Sequence, residues 1–316
     1  FAFANIVETH APYLAPKAFR EFWGKVEISD SLSNALFSYA DQFEVAGHPL
    51  SKEEREVAEI LYDSKVRYTD FLVGQLIEGL EREGRLEDTV VIITSDHGGM
   101  LGEHESMIGP IRNTYQGIMK TPLIIHCPGM TNKEETRLTS IVDVFATILA
   151  IAGAKSECGF NYQCQNILSD KWGRDFVICE IPPLPYPELF IRRTQQIATV
   201  LKDWHVNRTI ITSDYKLIWR SNGRHHVYDL RKDPGETNNL FPVDGAGVFK
   251  DLLQKMIRWY EDQWQSDKPF CLETFEYNQW NTRKGAGPTG INHAQDPSAI
   301  SVIADSLNRI VSRPAP

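Results

Sequence analysis

The stretch Thr89–His104, TVVIITSDHGGMLGEH, constrains the fold most, because a run of apolar and β-branched residues stops abruptly at an Asp-His pair and two glycines. Val90 to Thr94 suit a strand covered on both faces, the pattern of parallel sheets in α/β proteins. Ligands of such sheets bind beyond the carboxyl ends of the strands. Asp96 and His97 fall there, and Gly98 and Gly99 let the backbone turn sharply and approach a ligand closely. On spacing alone the same residues also fit an Asp N-cap followed by an exposed histidine.

The flanking pattern extends this α/β reading. Ser51-Lys52-Glu53-Glu54 forms a capping box, with Ser51 accepting from the Glu54 amide while Glu54 reaches back. Val57, Ile60, Leu61, Tyr68, Phe71, Leu72, Leu76 and Leu80 then recur at helical spacing, which predicts a long amphipathic helix stopping near Gly84. Phe1 to Val7 reads as a buried strand, so that helix crosses between strands of one parallel sheet. Leu123 to His126 is a further short strand. Ser140 to Gly153 opens with Ser140 and Asp143 in capping-box relation, ends on a glycine suited to a left-handed C-cap, and is expected to pack its apolar face on the sheet.

From about Gly173 the pattern shifts to short, closely spaced strands: Phe176–Cys179, Arg208–Thr212, Tyr215–Trp219 and His225–Tyr228. Asn222-Gly223 is a hairpin turn between the last two. Gly247 to Gln265 reads as an amphipathic helix backing this small antiparallel sheet. Lys268 to Pro316 lacks long apolar runs and is expected to wrap the surface or to be partly disordered. The expected division is therefore 1–172, an α/β domain portion; 173–267, a small antiparallel-sheet-plus-helix subdomain; and 268–316, an irregular extension.

At 316 residues, with 42% hydrophobic and 24% charged residues, the chain can bury a large core. A net charge of −9 without a Lys/Arg cluster excludes a nucleic-acid partner. No apolar run approaches the roughly 18 residues of a membrane span. Of the five cysteines, Cys158 and Cys164 are close enough for a small loop bridge, and free thiols explain them equally well. Asn207-Arg208-Thr209 is a glycosylation sequon, a triplet common by chance.

SDHGGMLGEH resembles the sulfatase signature S-D-H/N-G-x-x-L-G-E-H, and three further segments agree with that family in order. FANIVETHAPYLAP at 3–16 resembles the strand and turn ending in H-x-P-Y, TPLIIHCPG at 121–129 the following strand, and YDLRKDPGETNNL at 228–240 the C-terminal Y-D-L-x-x-D-P-x-E turn. The resemblance covers roughly three quarters of the chain. It implies an alkaline-phosphatase-like α/β fold, a mostly parallel sheet flanked by helices and incomplete at its N-terminus, with a small C-terminal α+β subdomain. The family's C/S-x-P/A-x-R motif, whose Cys or Ser becomes formylglycine, and its preceding Asp pair do not occur here. The nucleophile and half of the metal ligands are thus expected upstream of Phe1, and the isolated chain is expected to be inactive.

By match to the motif, Asp96 and His97 are the metal ligands, holding one divalent cation: calcium first, with manganese admitted by the histidine. Such an ion would orient the nucleophile and polarise a sulfate ester. The H-x-P-Y histidine, His10, is expected to contact the sulfate or its leaving group, against the alternative of an ordinary loop histidine. His104 either lines the cleft or holds the loop by a hydrogen bond. Relatives place a Lys or His where Pro110 stands here, and proline offers no donor; Arg112 is the candidate substitute, its fork suiting sulfate. The adjacent His225 and His226 are poorly arranged to chelate one metal, and the Asp233-Pro234-Gly235-Glu236 turn reads as structural. The implied substrate is a small-molecule or saccharide sulfate ester. A phosphodiesterase or phosphonate monoester hydrolase of the same fold, or a noncatalytic relative, are the alternatives.

Overall fold

A computed structural model describes residues 1–11, 13–23, 51–106, 108–109, 113–154, 164–181, 206–243 and 245–265, all within one unit, Phe1–Lys268. Six helices are described: α1 (Lys17–Arg20), α2 (Lys52–Arg82), α3 (Glu103–Ser106), α4 (Gln116–Met119), α5 (Val142–Ile151) and α6 (Ala246–Gln265). They are interspersed with eight described strands: β1 (Val91–Thr94), β2 (Met100–Leu101), β3 (Ile108–Gly109), β4 (Leu123–His126), β5 (Val177–Ile181), β6 (Asn207–Ile211), β7 (Tyr215–Arg220) and β8 (His226–Asp229). None of the described helices is long and apolar enough to cross a membrane.

The capping box forms as read. Glu54 N–H donates to Ser51 Oγ at 3.1 Å and Ser51 N–H to Glu54 Oε2 at 2.8 Å. The helix so started runs 31 residues, and Gly84 follows its end with φ of 62°, a conformation that favours glycine. Its inner face buries Ala58 and Leu61 against Tyr13, with Val57, Tyr62 and Leu101 alongside. Tyr13 meets Tyr62 edge to face at 5.3 Å, the arrangement aromatic quadrupoles favour.

The first sheet departs from expectation. β1 pairs with β4 antiparallel, Val91 opposite His126 and Thr94 opposite Leu123. Parallel neighbours need a crossover that returns the chain to the edge where the first strand began; the chain from β1 enters β4 from the opposite end instead. Phe1–Ile6 is not a buried strand either. It pairs with no described strand, Phe1 and Phe3 are exposed, and Val7–Thr9 closes a 3-10 turn. Without a ladder its apolar side chains have no sheet face to cover and its backbone groups turn to water. The residues of β1 are accordingly only half-buried before Thr94, and Ile124 of β4 is exposed.

α5 also differs. Its buried residues are polar, Asp143 and Thr147, while Ile141 just before it, Val142, Phe145 and Ile151 are exposed. Hydrogen bonding orients it: Asp143 accepts from the Ser140 and Gln165 amides and pairs with Arg174, and Thr147 Oγ1 accepts from the Ile167 amide at 3.0 Å. Burying a carboxylate without those partners would cost more than exposing several alkyl groups. Half of the expected capping box is present, the acid reaching back, and Gly153 takes the left-handed cap with φ of 62°.

The second sheet is the antiparallel β5-β6-β7-β8 meander, with Gly223 at φ of 81° in the expected hairpin turn. Its one face buries Ile210, Leu217 and Val227 against Leu252 and Met256 of α6. The other face buries Ile218 and Tyr228 against Met100, Tyr115 and Ile118, joining this sheet to the loops that follow β1. Asn207 of the sequon lies in β6 and is 1% exposed, out of reach of a glycan in this fold. Cys164 is a free thiol, and Cys158 and Lys268–Pro316 lie outside the described residues. Leu61 has no exposed surface, and Leu61→Ala is expected to lower unfolding stability by about 2–5 kcal/mol in a denaturant titration.

Candidate functional site

Thr94 donates to the Pro122 carbonyl at 2.9 Å, and the chain then leaves the sheet with Asp96 and His97 at the carboxyl end of β1. The Asp96 side chain is 88% exposed, so its carboxylate keeps its water and is free to take a ligand. Asp96 Oδ1 accepts from the His97 amide at 2.9 Å, and Asp96 Oδ2 lies 3.8 Å from His97 Nε2. His97 Nδ1 lies 2.7 Å from the Gly98 carbonyl. A carbonyl only accepts, so Nδ1 carries the proton and Nε2 presents its lone pair outward. A backbone carbonyl fixing the tautomer is the arrangement that metal-ligating histidines use.

Close approach requires glycine in the next turn. Gly98 N–H donates to Ile118 O at 2.8 Å, and a Cβ at Gly98 would stand 2.1 Å from the Gly117 carbonyl oxygen. α4, which carries Gly117 and Ile118, therefore acts as the floor of the Asp96-His97 loop.

His10 occupies a second loop on the same scaffold. Tyr13 anchors that loop on α2 beside Leu101, and Lys65 of α2 pairs with Glu8 at 2.6 Å. His10 is exposed; its Nδ1 lies 2.6 Å from the Ala11 carbonyl, which again leaves Nε2 outward. No described contact joins His10 to Asp96 or His97. Arg112 and Pro110 lie outside the described residues.

His104 sits in the left-handed region, φ 49°, and stacks flat on Tyr115 with ring centroids 3.8 Å apart. Burial lowers its pKa, opposed by the carboxylates of Glu236 and Glu103. Tyr115 opens a cluster that sequence reasoning did not find. His226 Nδ1 lies 3.2 Å from Tyr115 Oη and 2.9 Å from Tyr228 Oη, and its Nε2 lies 3.4 Å from Arg220 Nη1. A guanidinium only donates, so His226 Nε2 accepts and Nδ1–H donates to a tyrosine oxygen. Burial, then Arg220, push the His226 pKa down to about 4. His225 faces the other way, among Trp219, Phe241 and Phe249, as strand alternation requires.

Lys216 and Glu236 were also missed. They form an ion pair at 2.5 Å with side chains 0% and 1% exposed, and Glu236 Oε2 accepts from the Gln116 amide at 2.6 Å. The available signal was a lysine inside the apolar strand YKLIW and an acid in the DPGE turn that the sequence marks as structural.

No group of three or more His, Cys, Asp or Glu side chains able to hold a metal is present among the described residues. Asp96 and His97 nevertheless form a coherent half-site: one hard carboxylate oxygen and one imidazole lone pair, 3.8 Å apart, a separation that two ligands of one divalent ion can share.

This arrangement, a strand-end Asp-His pair with a C-terminal antiparallel sheet, belongs to an alkaline-phosphatase-like α/β fold. The phosphonate monoester hydrolase of Silicibacter pomeroyi shares it, with a TM-score of 0.60 at 20% identity over 80% of this chain and 54% of that one. A solved protein in complex with its substrate D-glucosamine-2-N,6-O-disulfate gives 0.55 at 25% identity over 70% of this chain and 45% of that one. Residues 5–154 match the sulfatase family model, and the chain belongs to the sulfatase family. Arylsulfatase K of Rattus norvegicus is 34% identical over 255 residues, 72% of this chain and 43% of the relative. An arylsulfatase of Clostridium perfringens is 23% identical over 275 residues, 80% of this chain and 51% of the relative. The chain thus spans about half the length of the curated relatives it matches.

Two outcomes follow from this geometry. Gly98→Ala forces Cβ into the Gly117 carbonyl and is expected to cost about 1–3 kcal/mol in thermal or denaturant unfolding, as overpacking against unyielding backbone does. His226 holds its proton less tightly folded than unfolded, so below about pH 6.5 the unfolded chain binds more protons and stability falls with pH toward about 4. Unfolding midpoints measured from pH 7 to pH 4 should fall, and His226→Phe should shallow the slope.

Proposed function

We propose that this chain carries part of the active site of a metal-dependent sulfatase that hydrolyses sulfate esters. The observation that carries the reading is the pairing of Asp96 and His97 at the carboxyl end of β1, with His97 tautomerised to offer Nε2, inside the region that matches the family.

In this reading Asp96 Oδ2 and His97 Nε2 hold one divalent cation, calcium or manganese, which when bound supplies charge to orient a nucleophile and polarise the ester. The chain's own groups do the rest. From the neighbouring loop His10, as an imidazolium with both ring nitrogens donating, would give Nε2–H to a sulfate oxygen or to the leaving group. His104 is a wall of the cleft, held by its stack on Tyr115. Arg112 supplies a further cation to the sulfate in place of a side chain at Pro110. Residues 1–172 belong to the catalytic domain and 173–267 to the subdomain that braces it. The nucleophile is a formylglycine, which the relatives' longer chains leave room for. The substrate is a sulfated saccharide or aryl ester, by kinship with arylsulfatases and with the protein that binds a glucosamine disulfate.

The test is paired turnover of an aryl sulfate and an aryl phosphodiester by the protein as its gene encodes it, with calcium or manganese supplied. Sulfate turnover should exceed phosphodiester turnover, and Asp96→Ala should lower it by two or more orders of magnitude, as removal of a metal ligand does. Faster phosphodiester cleavage, or an Asp96→Ala variant as active as the parent, would overturn the reading.

A further inference from the structure

The Asp96-His97 loop is exposed, yet a metal site needs its ligands held still. Among the described residues the loop supplies little of that stiffness: Asp96 Oδ1 accepts from the His97 amide and His97 Nδ1 donates to the Gly98 carbonyl, both contacts to adjacent backbone. The restraint comes from below, through α4. Gly98 N–H donates to Ile118 O at 2.8 Å, and its α-carbon packs so closely on Gly117 that no side chain fits between.

α4 is a single turn of four residues and cannot be stable alone. Its first amide, Gln116 N–H, donates to Glu236 Oε2 at 2.6 Å, and Glu236 Oε1 is paired with Lys216 Nζ at 2.5 Å. Lys216 lies in the centre of the antiparallel sheet, in register with Ile211 and Tyr228. Glu236 itself adopts φ of 56°, a conformation unfavourable to a side-chain-bearing residue and maintained only when its surroundings over-determine it. A continuous series of contacts therefore runs from the sheet, through a buried carboxylate 120 residues away in sequence, to the turn that aims the metal ligands.

We propose that Glu236, held by Lys216, is a positioning residue for the Asp96-His97 loop: its carboxylate fixes the start of α4, and α4 fixes Gly98. The turn around DPGE is then part of the functional apparatus and more than a stop between sheet and α6. The consequence for metal binding rests on the sulfatase reading; the mechanical coupling does not.

The double substitution Lys216→Met with Glu236→Met tests this, since it removes the acceptor of the Gln116 amide without stranding a buried charge. Amide hydrogen exchange on the whole chain should show Gly98 exchanging roughly ten-fold faster or more, the scale of a lost charge-assisted hydrogen bond, with β6–β8 amides unchanged. Lys216→Met with Glu236→Gln keeps a carbonyl acceptor for the Gln116 amide and should return Gly98 exchange toward the parent rate. Unchanged Gly98 exchange in the first folded variant, or equal loosening in the second, would overturn the inference. Manganese titration in parallel separates the two ideas. Failure of the protein as its gene encodes it to take up manganese counts against the metal reading, while the exchange result decides the coupling by itself.

Discussion

Two opposite charges without water around them, Lys216 and Glu236, hold together parts of the chain that would otherwise have little reason to meet. Desolvating both groups costs several kcal/mol each, and their mutual attraction roughly offsets this only when the geometry is good and the remaining lone pairs are used. Here one carboxylate oxygen takes the ammonium and the other takes the Gln116 amide. The pair adds little stability over an apolar replacement. What it adds is specificity: an apolar pair would tolerate α4 in several places, whereas a buried carboxylate tolerates only a donor where Gln116 N–H lies.

The same division of labour recurs in α5. Asp143 and Thr147 face inward and are saturated by amides and Arg174, while Ile141, Val142, Phe145 and Ile151 face out. Directional polar contacts decide the rotation of the helix, and apolar area yields to them because an unpaired buried carboxylate is costlier than exposed alkyl surface.

Elements governed by local rules were legible in the sequence. The Ser51 box, the stop at Gly84, the Asn222-Gly223 hairpin and the Gly153 cap are each decided within a few residues, and the structure has them. So is the strand ending just before Asp96, because β-branched runs and the glycine turn mark it. Pairing was not legible. Whether β1 runs beside a parallel or an antiparallel neighbour depends on which strand reaches it, and a strand's own residues carry no record of that. Phe1–Val7 failed for the same reason: apolar composition predicts burial only where a partner surface exists. Of the candidate site, Asp96, His97 and His10 were proposed from motif. Tyr115, His226, Arg220 and the Lys216–Glu236 pair were not, since they converge from positions about a hundred residues apart.

The neutral cluster bears on which ester the proposed site suits. His226, with a pKa pushed down to about 4, is uncharged near neutral pH, and the His104 pKa is lowered by its burial. Neither imidazole readily adds positive charge to the wall of the cleft. Glu236 and Lys216 neutralise each other, and Arg220 contacts His226 through Nη1. In the proposed reading, charge for an anionic substrate then comes mainly from the cation that Asp96 and His97 would hold and from Arg112. One divalent ion would balance a singly charged sulfate ester more readily than a doubly charged phosphate monoester, because each uncompensated charge adds to the cost of binding. Within the proposed reading, the neutral His226 and the lowered pKa of His104 thus favour the less charged ester.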